Sequence, residues 1–531
     1  MTFTPTPEQQ AIIDTIRDEP TTSLMVKALA GSSKTTTITM ASHVIGTSPC
    51  LAVAFNKRIA EELADKLPAE FHSKTLNALG MAAWRNGSGV SNIQVDADKL
   101  FKITKALVGK TSAEQKVQHY TFSAAKAEPV DGADDFTESL TLARAAKSAG
   151  LVPKGAPMMK TGLVPDTDEQ WEELAFAKGF HATKTTVGFA RKIVLESIKQ
   201  AYSGIIDFDD QIYMSVLFGG KFPQYHTVIV DEAQDLSPLN HRMVLAMART
   251  RLIVVGDPFQ AIYAFRGADS SSMDNLKTLV EAKFGAPMKV LGLTYSFRAP
   301  RIISSRQRSH VPDFKSWETC VEGTLEQWPK PGVERVRTWN LSSIPEVGAI
   351  LCRNNAPLMK VGFALIKQRR RVKILGRDIG ASLAGLLGKI TNKNNLPVAN
   401  VYRLVDAWQI KELEKAGDAE SKRDVILDRA ECLFVLLEAS GAATSHEAQD
   451  FIKDLFADKA EGLVLSSGHR SKGLEWNWVM HLDPWRVPSK FATPGTSAYE
   501  QELNLKYVIE TRTKSTLVLA SVGDCEEIGE H

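Results

Sequence analysis

The run Asp231-Glu232-Ala233-Gln234-Asp235 packs three acidic residues into five positions, directly after Val228-Ile229-Val230. The β-branched run reads as a buried strand of a parallel sheet. Acidic residues at the C-terminal tip of such a strand stand where open α/β sheets bind ligands. One carboxylate can hold Mg²⁺ through water while its neighbour orients an attacking water, a division of labour suited to NTP hydrolysis. That chemistry needs a phosphate cradle upstream. Residues 23–30 (SLMVKALA) read as a strand, Gly31-Ser32-Ser33-Lys34-Thr35 as a small-residue loop, and residues 35–45 as a helix. Backbone N–H groups at the helix start would hold phosphates, Lys34 would reach the outer ones, and Thr35 would ligate Mg²⁺. The full pattern has glycine where this chain has Ala28 and Ser33. A side chain at 33 crowds the loop if that position needs positive φ. Taken alone, the segment also fits an ordinary turn with a chance Lys-Thr.

Further apolar runs at 50–55, 227–230, 252–255 and 290–293 join 24–28 in an alternating pattern. That pattern predicts an α/β fold with a parallel sheet. The run at 252–255 ends in Gly256-Asp257-Pro258-Phe259-Gln260. Gln260 is a side chain able to sense a γ-phosphate; a solvated loop glutamine is the plain alternative.

A chain of 531 residues exceeds one core, and three or four domains are expected. With 44% hydrophobic and 24% charged residues the composition is globular, and a net charge of +2 makes any basic surface local. Clusters at 367–373 and at Arg298, Arg301, Arg306 and Arg308 are candidates for phosphate contact, with a solvated face as the default reading. Cys50, Cys320, Cys352, Cys432 and Cys525 form no CxxC pair, which argues against a disulfide framework and against a structural metal. The start MTFTPTPEQQ lacks a signal-peptide pattern, and no apolar run approaches the ~18 residues of a membrane span. A reducing cytoplasm and no membrane partner are the expectation.

Read in order, these segments resemble the UvrD/Rep-like superfamily 1 DNA helicases, and look closest to the branch containing the eukaryotic F-box DNA helicase. The matching segments run from residue 6 to residue 520. Thr6-Pro7-Glu8-Gln9-Gln10 resembles the family's Q motif, with Gln9 on the adenine edge. The resemblance gives Ala30, Gly31, Ser32, Ser33, Lys34, Thr35 and Thr36 to the phosphate loop. Ala54-Phe55-Asn56-Lys57 and Lys74-Thr75-Leu76-Asn77 resemble motifs Ia and Ib, which implies DNA contacts by Phe55, Asn56, Lys57, Thr75 and Asn77; the family usually has His at the last. Ile206-Asp207-Phe208-Asp209-Asp210 resembles an acidic segment that precedes motif II. Motif II is matched by 231–235, which implies Asp231 for Mg²⁺ and Glu232 as the base for water. Residues 256–268 resemble motif III, with Gln260 coupling γ-phosphate to DNA and Tyr263, Phe265 and Arg266 on DNA. Phe265 replaces a stacking Trp, and base stacking of this kind is worth ~1–3 kcal/mol. Thr294-Tyr295-Ser296-Phe297-Arg298 resembles motif IV, with Phe297 stacking on adenine and Arg298 as an arginine finger. Ala349-Ile350-Leu351-Cys352-Arg353-Asn354-Asn355 resembles a second-core strand. Residues 465–476 resemble motif V, with Ser467 and His469 on the DNA backbone and Gly473 and Glu475 on the nucleotide side. Residues 501–514 resemble motif VI, where Arg512 is the second γ-phosphate arginine; Glu510 and Thr513 stand where the family often has Ala.

The resemblance implies two RecA-like P-loop NTPase core domains, parallel sheets flanked by helices, each with a mainly helical insertion. The first core would cover 1–80 and 200–293 around an insertion at 81–199. The second would cover 294–380 and 460–531 around a small insertion at 381–459. Helices are expected at 97–109, 139–150, 187–202, 401–417 and 423–440, and loops at 129–132 and 150–157. The implied activity is an ATP-dependent helicase or translocase on single-stranded DNA, 3′→5′, using ATP and Mg²⁺ in a cleft between the cores. Single-stranded DNA and single-/double-strand junctions are the implied partners, with accessory loading proteins also open. A cytoplasmic place, in a bacterium or a phage-infected cell, follows. A non-hydrolysing DNA-binding protein on a helicase scaffold and an RNA-directed ATPase remain open alternatives.

Overall fold

In the computed structural model the described residues are 4–46, 48–54, 57–90, 92–108, 132–157, 162–178, 180, 182–262, 271–329, 338–417, 420–455, 462–490 and 492–528. The chain forms two compact units. One comprises residues 1–28 and Ser33–Leu293; the other comprises Leu29–Ser32 and 294–531.

The first unit is built on six parallel strands: β1 (Leu24–Ala28), β2 (Cys50–Ala54), β3 (Phe71–Thr75), β4 (Tyr225–Val230), β5 (Ala248–Gly256) and β6 (Lys289–Leu293). Their order is β3-β2-β4-β5-β1-β6. The apolar runs become strands because both sheet faces are covered. Ile229, Ile253 and Val255 pack on one side with Ile12 and Ile38, while Val228, Val230, Leu252 and Val254 pack on the other with Met243 and Leu276. The register pairs Val230 with Val254 and Lys27 with Gly256. All strands point the same way, so the residues after Ala28, Val230 and Gly256 emerge at one sheet edge. The strand expected over 23–30 stops at Ala28, where the loop begins. β3 (FHSKT) was not expected: it lies at the sheet edge, alternates buried and exposed positions, and lacks an apolar run.

Two helices frame the loop: α1 (Pro7–Asp18) and α2 (Lys34–Ser42). Between β3 and β4 the chain forms helices over Gly132–Ala149, Asp168–Ala177 and Lys184–Tyr202. They surround a core that includes Trp84, Leu142, Trp171, Ile193 and Tyr213. A tetrad of charged residues sits inside it. Lys99 Nζ lies 2.6 Å from Asp210, and Lys147 Nζ lies 2.7 Å from Asp207 and 2.8 Å from Asp210. Asp207 and Asp210 of the acidic segment thus form a buried anchor, while Phe208 and Asp209 are exposed, and Asn77 Nδ2 donates to the Phe208 carbonyl at 3.0 Å.

The second unit carries another all-parallel sheet: β7 (Thr324–Trp328), β8 (Ala349–Cys352), β9 (Val372–Ile374), β10 (Leu463–Ser467), β11 (Trp476–Leu482) and β12 (Thr513–Ala520). The order is β7-β12-β11-β8-β10-β9. Helices over Arg377–Ile390, Val398–Ala416, Glu420–Ser440 and Ser445–Leu455 share one apolar cluster with this sheet. Two helices matter below: the short α3 (Arg301–Gln307) and, much later, α4 (Ser497–Glu510).

The basic clusters are not simply solvated. Arg370 donates to the carbonyls of Leu341 at 3.0 Å and Pro345 at 2.6 Å. Arg301 donates to the Glu318 carbonyl at 2.6 Å, and Arg308 to that of Phe314 at 3.3 Å. A guanidinium has five donors in a fixed fork, so it ties loop carbonyls that would otherwise need water.

Removing Asp210 strips buried Lys99 of its carboxylate and leaves buried Lys147 with Asp207 alone. Asp210→Ala is expected to cost about 3–5 kcal/mol in urea denaturation; a loss below about 1 kcal/mol would show that the tetrad is not a structural anchor.

Candidate functional site

The site in the first unit starts from the sheet order. β1 lies beside β5, and β5 beside β4, so the phosphate-type loop, the acidic run and Asp257 converge. α2 begins at Lys34, and the residue before it, Ser33, sits at φ 60, ψ 42 in the left-handed region. Position 33 therefore does require positive φ, and serine accepts it at a steric cost of about 1–2 kcal/mol. Gly31, at φ 73, has no such cost. The Ser32 hydroxyl is buried with no hydrogen-bond partner. Thr35 is half-buried and Thr36 exposed.

Lys34 Nζ donates to Glu232 Oε2 at 3.2 Å. Glu232 is itself left-handed, at φ 53. Its carboxylate also accepts from Gln234 Nε2 at 2.5 Å. Gln234 Oε1 accepts from the Asp257 amide at 3.0 Å, and Asp257 Oδ2 accepts from Gln260 Nε2 at 2.7 Å. One hydrogen-bonded line thus joins Lys34, Glu232, Gln234, Asp257 and Gln260. It passes closest at Gly256, where a Cβ would stand 2.5 Å from Gln234 Oε1. Gln260 is buried, not a solvated loop residue.

Asp231 accepts from the Glu232 amide at 2.9 Å. Burial, reinforced by the neighbouring Glu232 charge, raises its carboxyl to about 6. Burial also raises Asp257. Burial alone would lower Lys34, but Glu232, Asp231 and Asp257 together raise it. The donor set suits Mg²⁺. Asp231 is a carboxylate held at a cost that a cation would relieve, and the Thr35 hydroxyl is a hard oxygen on the adjoining helix. Among the described residues no group of three or more His, Cys, Asp or Glu could hold a metal by itself. Two protein oxygens completed by phosphates is the usual arrangement for this ion.

Gln9 is fully buried. Its side-chain oxygen accepts from the Thr6 amide at 3.0 Å as part of a capping box, and its amide donates to Thr37 Oγ1 at 3.0 Å. Thr75 caps the next helix by accepting from the Ala78 amide at 3.2 Å. Lys57 is exposed, 3.6 Å from Glu61. Phe55, Asn56, Tyr263, Phe265 and Arg266 lie outside the described residues.

In the second unit Arg298 Nη1 lies 3.3 Å from Glu475 Oε2, while its Nε and Nη2 are buried without a hydrogen-bond partner. Glu475 also lies 3.2 Å from Lys514. Burial would raise Glu475, but Arg298 and Lys514 lower it. Phe297 packs at a tilt against Trp317, centroids 5.5 Å apart. Arg512 is almost wholly buried and donates to the carbonyls of Val508 at 2.9 Å and Leu474 at 3.3 Å. Gly473 has φ 85. Ser467 is buried at the end of β10. His469 lines a cavity with Arg353, Asn354, Asp424, Asp428 and Arg429.

Residues 6–281 match the model of the UvrD/REP helicase N-terminal domain. The chain belongs to that family. Across 97% of its length it is 24% identical to "F-box DNA helicase protein 1" of Schizosaccharomyces pombe, covering 57% of that protein. It is 25% identical to "ATP-dependent DNA helicase UvrD2" of Mycobacterium tuberculosis, with 94% of this chain and 77% of the relative covered. "DNA helicase IV" of Escherichia coli is 25% identical over 52% of this chain and 43% of its own length. The chain thus spans about half the length of two of these three relatives.

Seen as a UvrD/REP helicase family chain, its departures acquire local explanations. Asn77, in place of the usual His, ties the helix start to the Phe208 carbonyl. Glu510 is buried and accepts from Arg306 Nε at 2.8 Å. Sequence reasoning assigned no role to Gln234, Asp257 or Lys514. Gln234 and Asp257 were legible only as polar residues at strand tips. Lys514 needed the β11–β12 pairing to bring it near Glu475.

Two outcomes follow from this geometry. Ser33→Gly removes a side chain from the left-handed region and is expected to raise stability by about 1 kcal/mol in chemical denaturation; no gain would mean that contacts of the serine offset its strain. The raised Asp231 carboxyl makes the ionised form costly in the folded protein above about pH 6. The cost shrinks as pH falls through 6 towards the unfolded value of 3.8. Metal-free Asp231→Asn should therefore exceed wild type by roughly 1–3 kcal/mol near pH 7.5, with the gap narrowing towards pH 5. A gap that widens on acidification would contradict the sign.

Proposed function

We propose that the chain is an ATP-dependent DNA helicase or translocase acting on single-stranded DNA. The observation that carries this reading is the convergence of Lys34, Asp231 and Glu232 beyond the parallel tips of β1 and β4, on either side of β5, in a chain of the UvrD/REP helicase family. The relatives' printed names, DNA helicases in each case, supply the substrate class.

In this reading Ala30, Gly31, Ser32, Ser33, Thr35 and Thr36 present loop amides and hydroxyls to the phosphates. Lys34 leaves Glu232 to neutralise the outer phosphates, which frees Glu232 to accept a proton from the attacking water. Asp231 and Thr35 would hold Mg²⁺, which supplies charge neutralisation on the phosphates when bound. Gln260, fixed by Asp257, reports the γ-phosphate to the segment that follows it. Arg298 and Arg512 stabilise charge on the transferring phosphoryl group, and the two unpartnered nitrogens of Arg298 are donors suited to that task. Gln9 and Phe297 would frame the adenine, and Gly473 and Glu475 shape the arginine side. Lys57, Thr75, Asn77, Ser467 and His469, with Phe55, Asn56, Tyr263, Phe265 and Arg266, would contact the strand. The proposed direction is 3′→5′, and it rests on the resemblance. Domain boundaries at 80/81, 199/200, 293/294, 380/381 and 459/460 belong to the same proposal.

With ATP and Mg²⁺, duplexes carrying a 3′ single-stranded tail should be unwound, and 5′-tailed duplexes should not. Single-stranded DNA should stimulate phosphate release well above an equal length of RNA. Preference for RNA would move the reading to an RNA-directed ATPase, and nucleotide and DNA binding without phosphate release would move it to a non-hydrolysing scaffold.

A further inference from the structure

Glu510 is the last residue of α4, fully buried, and lies two positions before Arg512. Its carboxylate accepts from Arg306 Nε at 2.8 Å and Nη2 at 3.3 Å, and from Gln307 Nε2. Arg306 and Gln307 form the C-terminal end of α3, whose N-terminal end follows Arg298 by three residues. His481 of β11 brings its Nδ1 to 3.5 Å from Glu510 Oε1. Burial would push the Glu510 carboxyl up, but the His481 ring and the Arg306 guanidinium hold it at about 2, so it is ionised throughout the physiological range. A second tie joins the same two segments, His310 Nε2 to Asn504 Oδ1 at 2.9 Å.

The two arginines are also joined through a third segment, Leu474-Glu475. Arg298 pairs with Glu475, and Arg512 donates to the carbonyl of Leu474, the preceding residue. The Arg512 amide continues the last turn by donating to the Ile509 carbonyl at 3.2 Å. The Arg298 and Ala299 amides donate to Ser296 Oγ at 3.3 and 2.9 Å. The two arginines thus belong to one closed loop of contacts. Its far side is the bidentate bond between Glu510 and Arg306.

We propose that Glu510 is a positioning residue: it locks α3 to α4 so that Arg298 and Arg512 act as one rigid pair. This rests on the ATPase reading above. Glu510 touches no reacting atom in that reading. Its charge is needed because its carboxylate is closed to water and the guanidinium fork fits a carboxylate. Loss of the lock leaves both arginines present but free to shift relative to each other. Such a loss falls on transition-state stabilisation and spares ground-state nucleotide binding.

The test is steady-state ATPase with saturating single-stranded DNA on the full chain, for wild type, Glu510→Gln, Arg306→Met and the double variant. Circular dichroism and cooperative thermal unfolding establish that each variant is folded. Each single variant should lower kcat about 10–100-fold, with KM for ATP within about threefold of wild type. The double variant should be no worse than the poorer single, because both changes break one link. Arg306 is partly exposed, so Arg306→Met carries the test if Glu510→Gln does not fold. Folded variants with wild-type kcat, losses that multiply in the double variant, or a loss confined to KM would each overturn the proposal. A wild type without turnover overturns the ATPase reading and this proposal with it; an active wild type with unaffected variants overturns this proposal alone.

Discussion

Everything in the first unit's site depends on one electrostatic constraint: Lys34 faces three carboxylates, Asp231, Glu232 and Asp257, in a place largely closed to water. The parallel sheet creates the problem, because adjacent strand tips deliver all of them to one edge. Hydrogen bonds absorb part of it. Glu232 accepts from Lys34 and Gln234, and Asp257 from Gln260 and the Phe259 amide. Asp231 accepts from the Glu232 amide, and its carboxyl is raised by burial and then by the Glu232 charge beside it. A site balanced in this way favours a ligand that brings a cation to Asp231 and anionic oxygens to Lys34. Mg²⁺-nucleotide has that composition.

Two of the six described non-glycine residues with positive φ lie at the same place. Ser33 and Glu232, both non-glycine residues, sit in the left-handed region on either side of the Lys34 contact. Left-handed residues persist when the surroundings over-determine them, and such positions cluster at functional sites. The loop conformation at 33 fixes where α2 begins and hence where Lys34 points. The turn at 232 swings the carboxylate out of strand direction and towards that lysine.

Much of this was legible in the chain. β1, β2, β4 and β5 announced themselves as apolar runs, since a strand covered on both faces leaves no polar alternation; β6 read as an apolar run too, although it is an edge strand with Val290 exposed. Lys34, Asp231 and Glu232 were legible as chemistry placed at strand tips. The sheet order was not, because pairing of β1 with β5 joins residues more than two hundred positions apart. β3 was hidden by its half-exposed edge position, and the helices Asp168–Ala177, Arg377–Ile390 and Ser445–Leu455 were not singled out. The default reading of a solvated face fits the exposed Arg301, Arg308, Arg369 and Arg371, but not Arg298, Arg306 or Arg370, whose partners come from distant segments, as Glu510 does for Arg306. Glu510 itself was visible only as a departure from the family pattern, and its physical meaning required α3 beside it.

The central claim is that the buried charge cluster at the strand tips is a nucleotide hydrolysis site, with Lys34 as its phosphate ligand. The most direct measurement is phosphate release with single-stranded DNA, ATP and Mg²⁺, compared between wild type and Lys34→Ala. The account predicts turnover in wild type and a loss on the order of a hundredfold or more in the variant, the scale on which a lost transition-state donor acts. Equal turnover in the two proteins would contradict it.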